Sequence, residues 1–437
     1  MNRSYSLSFF VSLLVFLASL FPWQVYAVNF ALDKDGEIED QRSGWLPYAF
    51  RTDSLGTAIG LGFFTAGRKQ PQSGIIGTGY TTDNDSHLIM GAITNYQLKN
   101  NKRLFIDAFA LTAHFTDQRF YVDLDHDPTQ AKAGSNDSAE DDFVSGISNT
   151  VEFEFTLKYP LSIGNSRNEP VSVYSLDEGL LRSGPQGGEI YDPLTSGKTV
   201  IAATLFHTYR DLDEISQEDL LSVNSNGLKF WLDHNNTDFP RNPLKGSRQK
   251  ITLTRDFGWL DRSDTWTNLE FELTKYFNLG KSDLFRHRTL ALNFWTSNTT
   301  SWDPDPNNDQ IVHHRPPPGI GSSLGGFDRM RAYPIGRFHD KAAVYYSAEL
   351  RLIPKSKPLR DLPLIKYFEI DWVQIVGFVE AGAVKPTYDA DLYTEDLHSD
   401  VGISLRLMTY HAVVRLDWAS SNEGSSIWAM YEQTFAR

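Results

Sequence analysis

Apolar and polar side chains alternate along most of this chain. In 150–159, Val151, Phe153, Phe155, Leu157 and Tyr159 fall on one face, and Thr150, Glu152, Glu154, Thr156 and Lys158 on the other. Segment 266–277 repeats the pattern, with Leu269, Phe271 and Leu273 opposite Asn268, Glu270, Glu272 and Thr274. In 342–352, Val344, Tyr346, Ala348, Leu350 and Leu352 alternate with Tyr345, Ser347, Glu349 and Arg351. A period of two marks a strand with two unlike faces. Strands of soluble sandwiches run about 5–6 residues. These runs last about 9–12 residues, matching the about 9–11 that a tilted strand needs to cross a bilayer.

Further strands are predicted at 56–66, 73–82, 87–98, 103–114, 119–123, 199–210, 227–234, 248–257 and 288–297, and then at 372–382, 399–407, 412–419 and 427–435. The total is about sixteen, an even number as single-chain bacterial barrels have. The expected fold is all-β: one antiparallel transmembrane β-barrel over 56–437, preceded by a short periplasmic lead-in at 28–55. The interruptions are unequal. Segment 126–146 is acidic and polar, and 298–341 is longest and carries Pro316-Pro317-Pro318-Gly319. Segment 160–198 falls by strand parity on the rim where turns are short, so it hides a strand pair or is an insertion.

Composition narrows the compartment and the chemistry. Arg3, the apolar run 7–20 and Val25-Tyr26-Ala27 read as a signal peptide over 1–27, followed by no stretch apolar enough for a membrane helix. Aromatic residues make up 13% of the chain while mean hydropathy is −0.36, as expected where one strand face meets lipid and the other water. With 41 Lys+Arg against 55 Asp+Glu, the net charge of −14 argues against nucleic acid as a partner. There is no cysteine, which excludes disulfides, thiolate metal sites, a thiol nucleophile and a lipidated N-terminal Cys. His313-His314 near Asp303, Asp305 and Asp309 lacks the spacing of a metal motif, and no nucleophile elbow, phosphate loop or zinc-protease pattern occurs. No metal, cofactor or catalytic residue is expected, and Glu152, Glu270, Glu272, Arg406, Arg415 and Asp417 read as charges facing the barrel interior.

The final third carries a succession of motifs. Leu324-Gly325-Gly326-Phe327 precedes Met330-Arg331-Ala332-Tyr333, and Ala348-Glu349-Leu350-Arg351-Leu352-Ile353-Pro354 follows. After these come Phe378-Val379-Glu380-Ala381-Gly382, Asp400-Val401-Gly402-Ile403-Ser404-Leu405-Arg406 and Val414-Arg415-Leu416-Asp417-Trp418-Ala419, with Tyr431-Glu432-Gln433-Thr434-Phe435 near the end. In order and spacing these resemble the BamA/TamA-type superfamily of outer-membrane barrels, the bacterial surface antigen family. Asp238, Pro243 and Gly246-Ser247 fit one of its periplasmic turns. The resemblance implies that loop 298–341, after the eleventh strand, folds into the lumen. It also implies that Arg331, with Tyr333 beside it, locks onto Glu349 and Glu380. A guanidinium fixed by carboxylates suits that role, since such pairs are charge-assisted and directional. Gly325, Gly326, Gly382, Gly402, Arg406 and Asp417 would complete the barrel motif.

Two residues depart from the family pattern. Ala332 stands where the tip usually has glycine, so a position that normally tolerates φ > 0 carries a Cβ, and Glu380 stands for the usual aspartate. Before the barrel there is no room for the family's periplasmic repeats, which puts the activities that need them in doubt. Ile427, Tyr431 and Phe435 alternate as in a C-terminal signal read by barrel-insertion machinery, with Phe435 also readable as a lipid-facing girdle residue. The expected partners are outer-membrane lipids, that machinery, and unfolded or secreted protein clients. The expected activities are protein insertion, translocation or envelope biogenesis. The alternatives are a plugged channel or surface antigen, and a barrel subunit whose substrate-binding domain lies on another chain.

Overall fold

The strands place their large apolar side chains outside and their polar ones inside, the reverse of a soluble core. Ile59 and Ile403 are 63% and 60% exposed, whereas Arg248, Asn268, Thr274, Glu349, Arg406 and Asp417 are buried. Only a lipid-facing wall around a polar lumen makes that distribution favourable. The computed structural model describes residues 29–32, 36, 42–52, 56–67, 69–122, 131–185, 187–211, 223–259, 265–305, 308–317, 319–356, 370–409, 412–431 and 433–435. The expected signal peptide lies outside the described residues.

One antiparallel sheet of sixteen strands makes the wall, each strand paired with its sequence neighbours. The first eight are Arg42–Thr52, Gly56–Ala66, Gly74–Thr82, His87–Gln97, Phe105–Phe120, Val144–Pro160, Lys198–Arg210 and Val223–Asn235. The rest are Gly246–Asp256, Thr267–Asn278, Phe285–Thr299, Ala342–Pro354, Ile370–Lys385, His398–Thr409, Ala412–Ser421 and Gly424–Tyr431. The expected total thus comes from two errors that cancel. The sheet starts at Arg42, inside what the sequence assigns to the lead-in. Pro47 disguises that strand, yet it is tolerated because the strand is an edge. Conversely, residues 119–120 continue the fifth strand, where a register shift between Phe115 and Gln118 breaks the alternation and makes one strand read as two. Asp123 lies outside the described residues.

Strand parity puts both ends of the sheet on one rim, here the terminal rim, and the 300–341 connection on the opposite, loop rim. Segment 161–197 on the terminal rim is a true insertion. Its strands Ser172–Asp177 and Leu180–Ser183 form a hairpin, and Asn29–Leu32 adds in parallel to the first of them. The two-residue turn Glu178-Gly179 has φ of 49° and 69°, the mirror-image turn that suits strand twist. Lys198 Nζ donates to Pro170 O (3.0 Å) at the hairpin's base, and Tyr174 packs on Phe239. At its tip, Leu180 packs with Ile353, Trp372, Met408 and Val413, while Trp372 Nε1 donates to Gly179 O (3.0 Å). The hairpin therefore crosses from the sixth-to-eighth-strand side to strands twelve to fifteen.

Candidate functional site: a loop held in the lumen

The 300–341 connection is shaped by backbone that few residues accept. Gly325 has φ of 106°, and a Cβ there would come within 2.1 Å of Pro334 O. The turn closes with Gly325 N donating to Arg329 O (3.0 Å), Gly326 N to Tyr333 O (2.9 Å) and Tyr333 N to Met330 O (3.0 Å). Ala332 is not the strained position. The positive φ falls at Met330 (58°), two residues earlier, so the alanine is accommodated without a glycine-like backbone.

Arg331 is fully buried at the tip. Its Nε and backbone N donate to the two Glu380 oxygens (3.0 and 2.7 Å), Nη2 to Glu349 (3.1 Å) and Nη1 to Asp417 (3.1 Å). Its guanidinium lies 3.4 Å from the Phe378 ring centroid, and Trp428 Nε1 of the last strand donates to its carbonyl (2.7 Å). Each carboxylate is further engaged. Glu349 accepts from Arg351 (2.9 Å), Arg406 (2.8 Å) and the Thr434 hydroxyl (2.8 Å). Asp417 accepts from Arg415, and Glu380 from Tyr345. Ala332 N donates to Asp400 (3.0 Å). Four guanidiniums (Arg331, Arg351, Arg406, Arg415) therefore gather with four carboxyl groups (Glu349, Glu380, Asp400, Asp417), so no cation is buried without an acidic group nearby.

Other expected site residues surround this centre. Tyr333 stays off the carboxylates: its hydroxyl donates to Ser399 O (3.2 Å) and Asn422 (3.1 Å). Gly402 leaves room for the Phe378 ring, which a Cβ would meet at 2.3 Å. Gly382 brings its backbone against Val344 and Leu324 of the loop. A second arginine, unsuspected from sequence, holds the loop nearer the rim. Arg337 pairs with both Glu423 oxygens (2.8 and 2.9 Å) and donates to Ser138 Oγ and O (2.8 and 2.7 Å), joining the loop to segment 131–143 and the last hairpin.

The C-terminus departs from expectation. Phe435, read as part of an insertion signal and alternatively as a lipid-facing girdle residue, lies inside the lumen among Tyr276, Ala291 and Trp295, with its carbonyl accepting from Arg248 (3.2 Å), so the girdle alternative does not hold. The strand ends at Tyr431, whose side chain lies outside the described residues, and the chain then turns inward. Thr434 on Glu349 and Gln433 on Arg406 (2.5 Å) offer polar anchors that a lipid-facing path would lack. Asp400 and Arg351 were legible in principle as partners, since the inward faces of strands twelve and fourteen alternate into charges, as Arg415 on strand fifteen was; Thr434, past the last strand, was not.

On the far side of the lumen is a cavity of about 370 Å³, lined by Glu152, Glu154, Lys229, Lys250, Glu270 and Glu272. Here Lys229 pairs with Glu154, and Arg210 with Glu152 (3.4 Å). Among the described residues no cluster of side chains is placed to hold a metal ion, and His314 Nδ1 instead meets Thr265 O (2.9 Å).

No family model matches the chain, and no curated protein resembles it in sequence. Solved structures do resemble it in shape. BamA from Haemophilus ducreyi lacking POTRA domains 1–3 aligns with 98% of this chain and 77% of its own, at 13% identity and a TM-score of 0.46. CdiB from Escherichia coli aligns with 89% of this chain at 10% identity and a TM-score of 0.50. The chain spans 61% of CdiB's length. With sixteen sequential antiparallel strands and a loop from the eleventh strand held in the lumen, this chain shares its fold with the barrel of CdiB.

Proposed function

We propose that this protein resides in the outer membrane of a Gram-negative bacterium and passes or inserts protein segments through the seam between its first and last strands. One observation supports the reading. Among the described residues no hydrogen-bonded register joins Arg42–Thr52 to Gly424–Tyr431, although every other neighbouring pair is zipped. Unpaired backbone groups cost several kcal/mol each in hydrocarbon. Such an edge is also a template for an incoming strand. The last strand has only 8 residues because its continuation enters the lumen, which leaves the seam short as well as open. On this reading the lumenal charges hold a frame, with no acid–base chemistry and no cofactor.

The absence of cysteine makes the test clean. Cysteine pairs placed between 43–48 and 425–428 would be oxidised, and insertion of a barrel client measured in proteoliposomes. Locking the seam should abolish insertion and reduction should restore it. Full activity in the locked protein would sink the proposal. The lumenal cavity favours a second reading, a narrow channel plugged by 300–341. That reading calls for single-channel conductance that rises when the loop is deleted and is indifferent to the seam lock. A client-binding partner on a separate chain would be seen by co-purification from membranes.

A further inference from the structure

The insertion on the terminal rim has a second face that the hairpin does not use. Residues 189–195 are exposed beyond the 234–245 turn, and the apolar side chains among them point away from the protein. Tyr191 and Leu194 are 58% and 57% exposed, and Ile190 is exposed too. The backbone beneath them is tied inward. Gly188 N donates to Asn236 O (2.8 Å), Asn236 Nδ2 donates to Ile190 O, and Leu194 O accepts from Gly164 N (3.1 Å) and Arg167 (3.0 Å). The nearby charges are also engaged: Glu189 pairs with Lys245, and Asp192 accepts from Leu194 N (2.9 Å). A segment whose backbone is tied inward at several points and whose apolar side chains face outward suits a membrane interface, where its remaining polar groups still meet water.

Its position says what covers it. Lys275 belongs to the outer register of the tenth strand, between the exposed Leu273 and Phe277, whereas Thr274 and Tyr276 are buried on the inner face. The Lys275 ammonium lies 4.1 Å from the Tyr191 ring centroid. Tyr191 therefore stands outside the wall at the end of the lipid-facing band, continuous with exposed Phe277, Leu279 and Leu284. A tyrosine beside a lysine at that level is the usual composition of a membrane interface.

We propose that Ile190, Tyr191 and Leu194 form a foot that rests in the inner-leaflet interface of the same membrane, a contact that depends on the barrel reading above. The foot and the Leu180 tip then hold the insertion between the bilayer and the opposite wall. Single cysteines at Tyr191, Leu194, Leu273 and Arg182 would be spin-labelled in phosphatidylethanolamine–phosphatidylglycerol vesicles. Collisions with oxygen and with a water-soluble nickel chelate would then be compared. Leu273 reports the lipid wall and Arg182 the exposed hairpin. Labels at 191 and 194 should favour oxygen, as at 273, while 182 favours nickel. If 191 and 194 favour nickel, or are shielded from both as under a second protein, while 273 favours oxygen, the foot is disproved and the barrel stands. If 273 itself favours nickel, the barrel reading fails and the foot with it.

Discussion

The two halves of the lumen are built from the same kinds of residue and behave differently. On the side of strands twelve to sixteen, Arg331, Glu349, Glu380 and Asp417 have side-chain exposures of 0%. On the other side, beside the cavity, the Arg210 and Glu152 side chains remain 20% and 29% exposed and meet at 3.4 Å, although Lys158–Asp107 and Arg248–Asp233 elsewhere on that side are buried. Both faces follow the same alternation along their strands. The difference is that loop 300–341 and the C-terminal tail cover one and leave the other beside a cavity. Charge alternation specifies an inward face. Whether that face becomes a rigid lock or a wet wall is decided by what the loops lay over it.

The comparison is broken most directly at Arg331. Arg331→Ala leaves three buried carboxylates short of their shared cation, and removing one partner of a buried ion pair costs about 3–5 kcal/mol. The expected outcome is a lower urea midpoint in lipid and protease cleavage within 300–341. Arg331→Lys should recover little, because a point charge cannot serve three acceptors in the directions a guanidinium does. Wild-type stability in Arg331→Ala would mean that packing of Tyr333 and Phe338 holds the loop by itself.

Next in size is the hairpin tip, where Leu180→Ala should cost about 2–4 kcal/mol of local stability by the usual scale for buried leucine. The effect should show as faster hydrogen exchange in 172–183, with the global midpoint unchanged. An equal loss in both would make the hairpin part of the barrel's cooperative unit. Thr434→Val follows at about 1–3 kcal/mol, because it withdraws a donor from buried Glu349 and an acceptor from Arg351 and Arg406. A tail released from the lumen would be detected as new reactivity of a cysteine placed at Gln433.

Which parts of this could be read in advance follows from the range of the interactions. The wall was legible because alternation is local: Val151 to Tyr159 declares its strand without reference to any other segment. Arg42–Thr52 was not, since Pro47 is acceptable only at an edge, and being an edge is a property of the whole sheet. At the site, Arg331, Glu349 and Glu380 were named through resemblance, and the structure brings them together with Asp417. Arg337 reaches Ser138 and Glu423 across separations of 199 and 86 residues, which no local pattern encodes. The girdle alternative for Phe435 failed for a related reason. Alternation continued past Tyr431 puts it outside, but Thr434 and Gln433 find charged partners only within the lumen.

The smallest expected effect is the sharpest test of the contrast. A double-mutant cycle on Arg210 and Glu152 should yield a coupling of about 0–1 kcal/mol, the range for pairs that water can reach. The same cycle on Arg331 and Glu349 should yield several times more. Salt separates the two further. At 0.1 M ionic strength the screening length is about 10 Å, so the wet pair should weaken as salt rises, whereas the lock, closed to ions, should hold. If both couplings fell alike with salt, solvent would reach the loop tip as freely as the cavity. Arg331 would then be one lumenal charge among many, not the residue that fixes the loop.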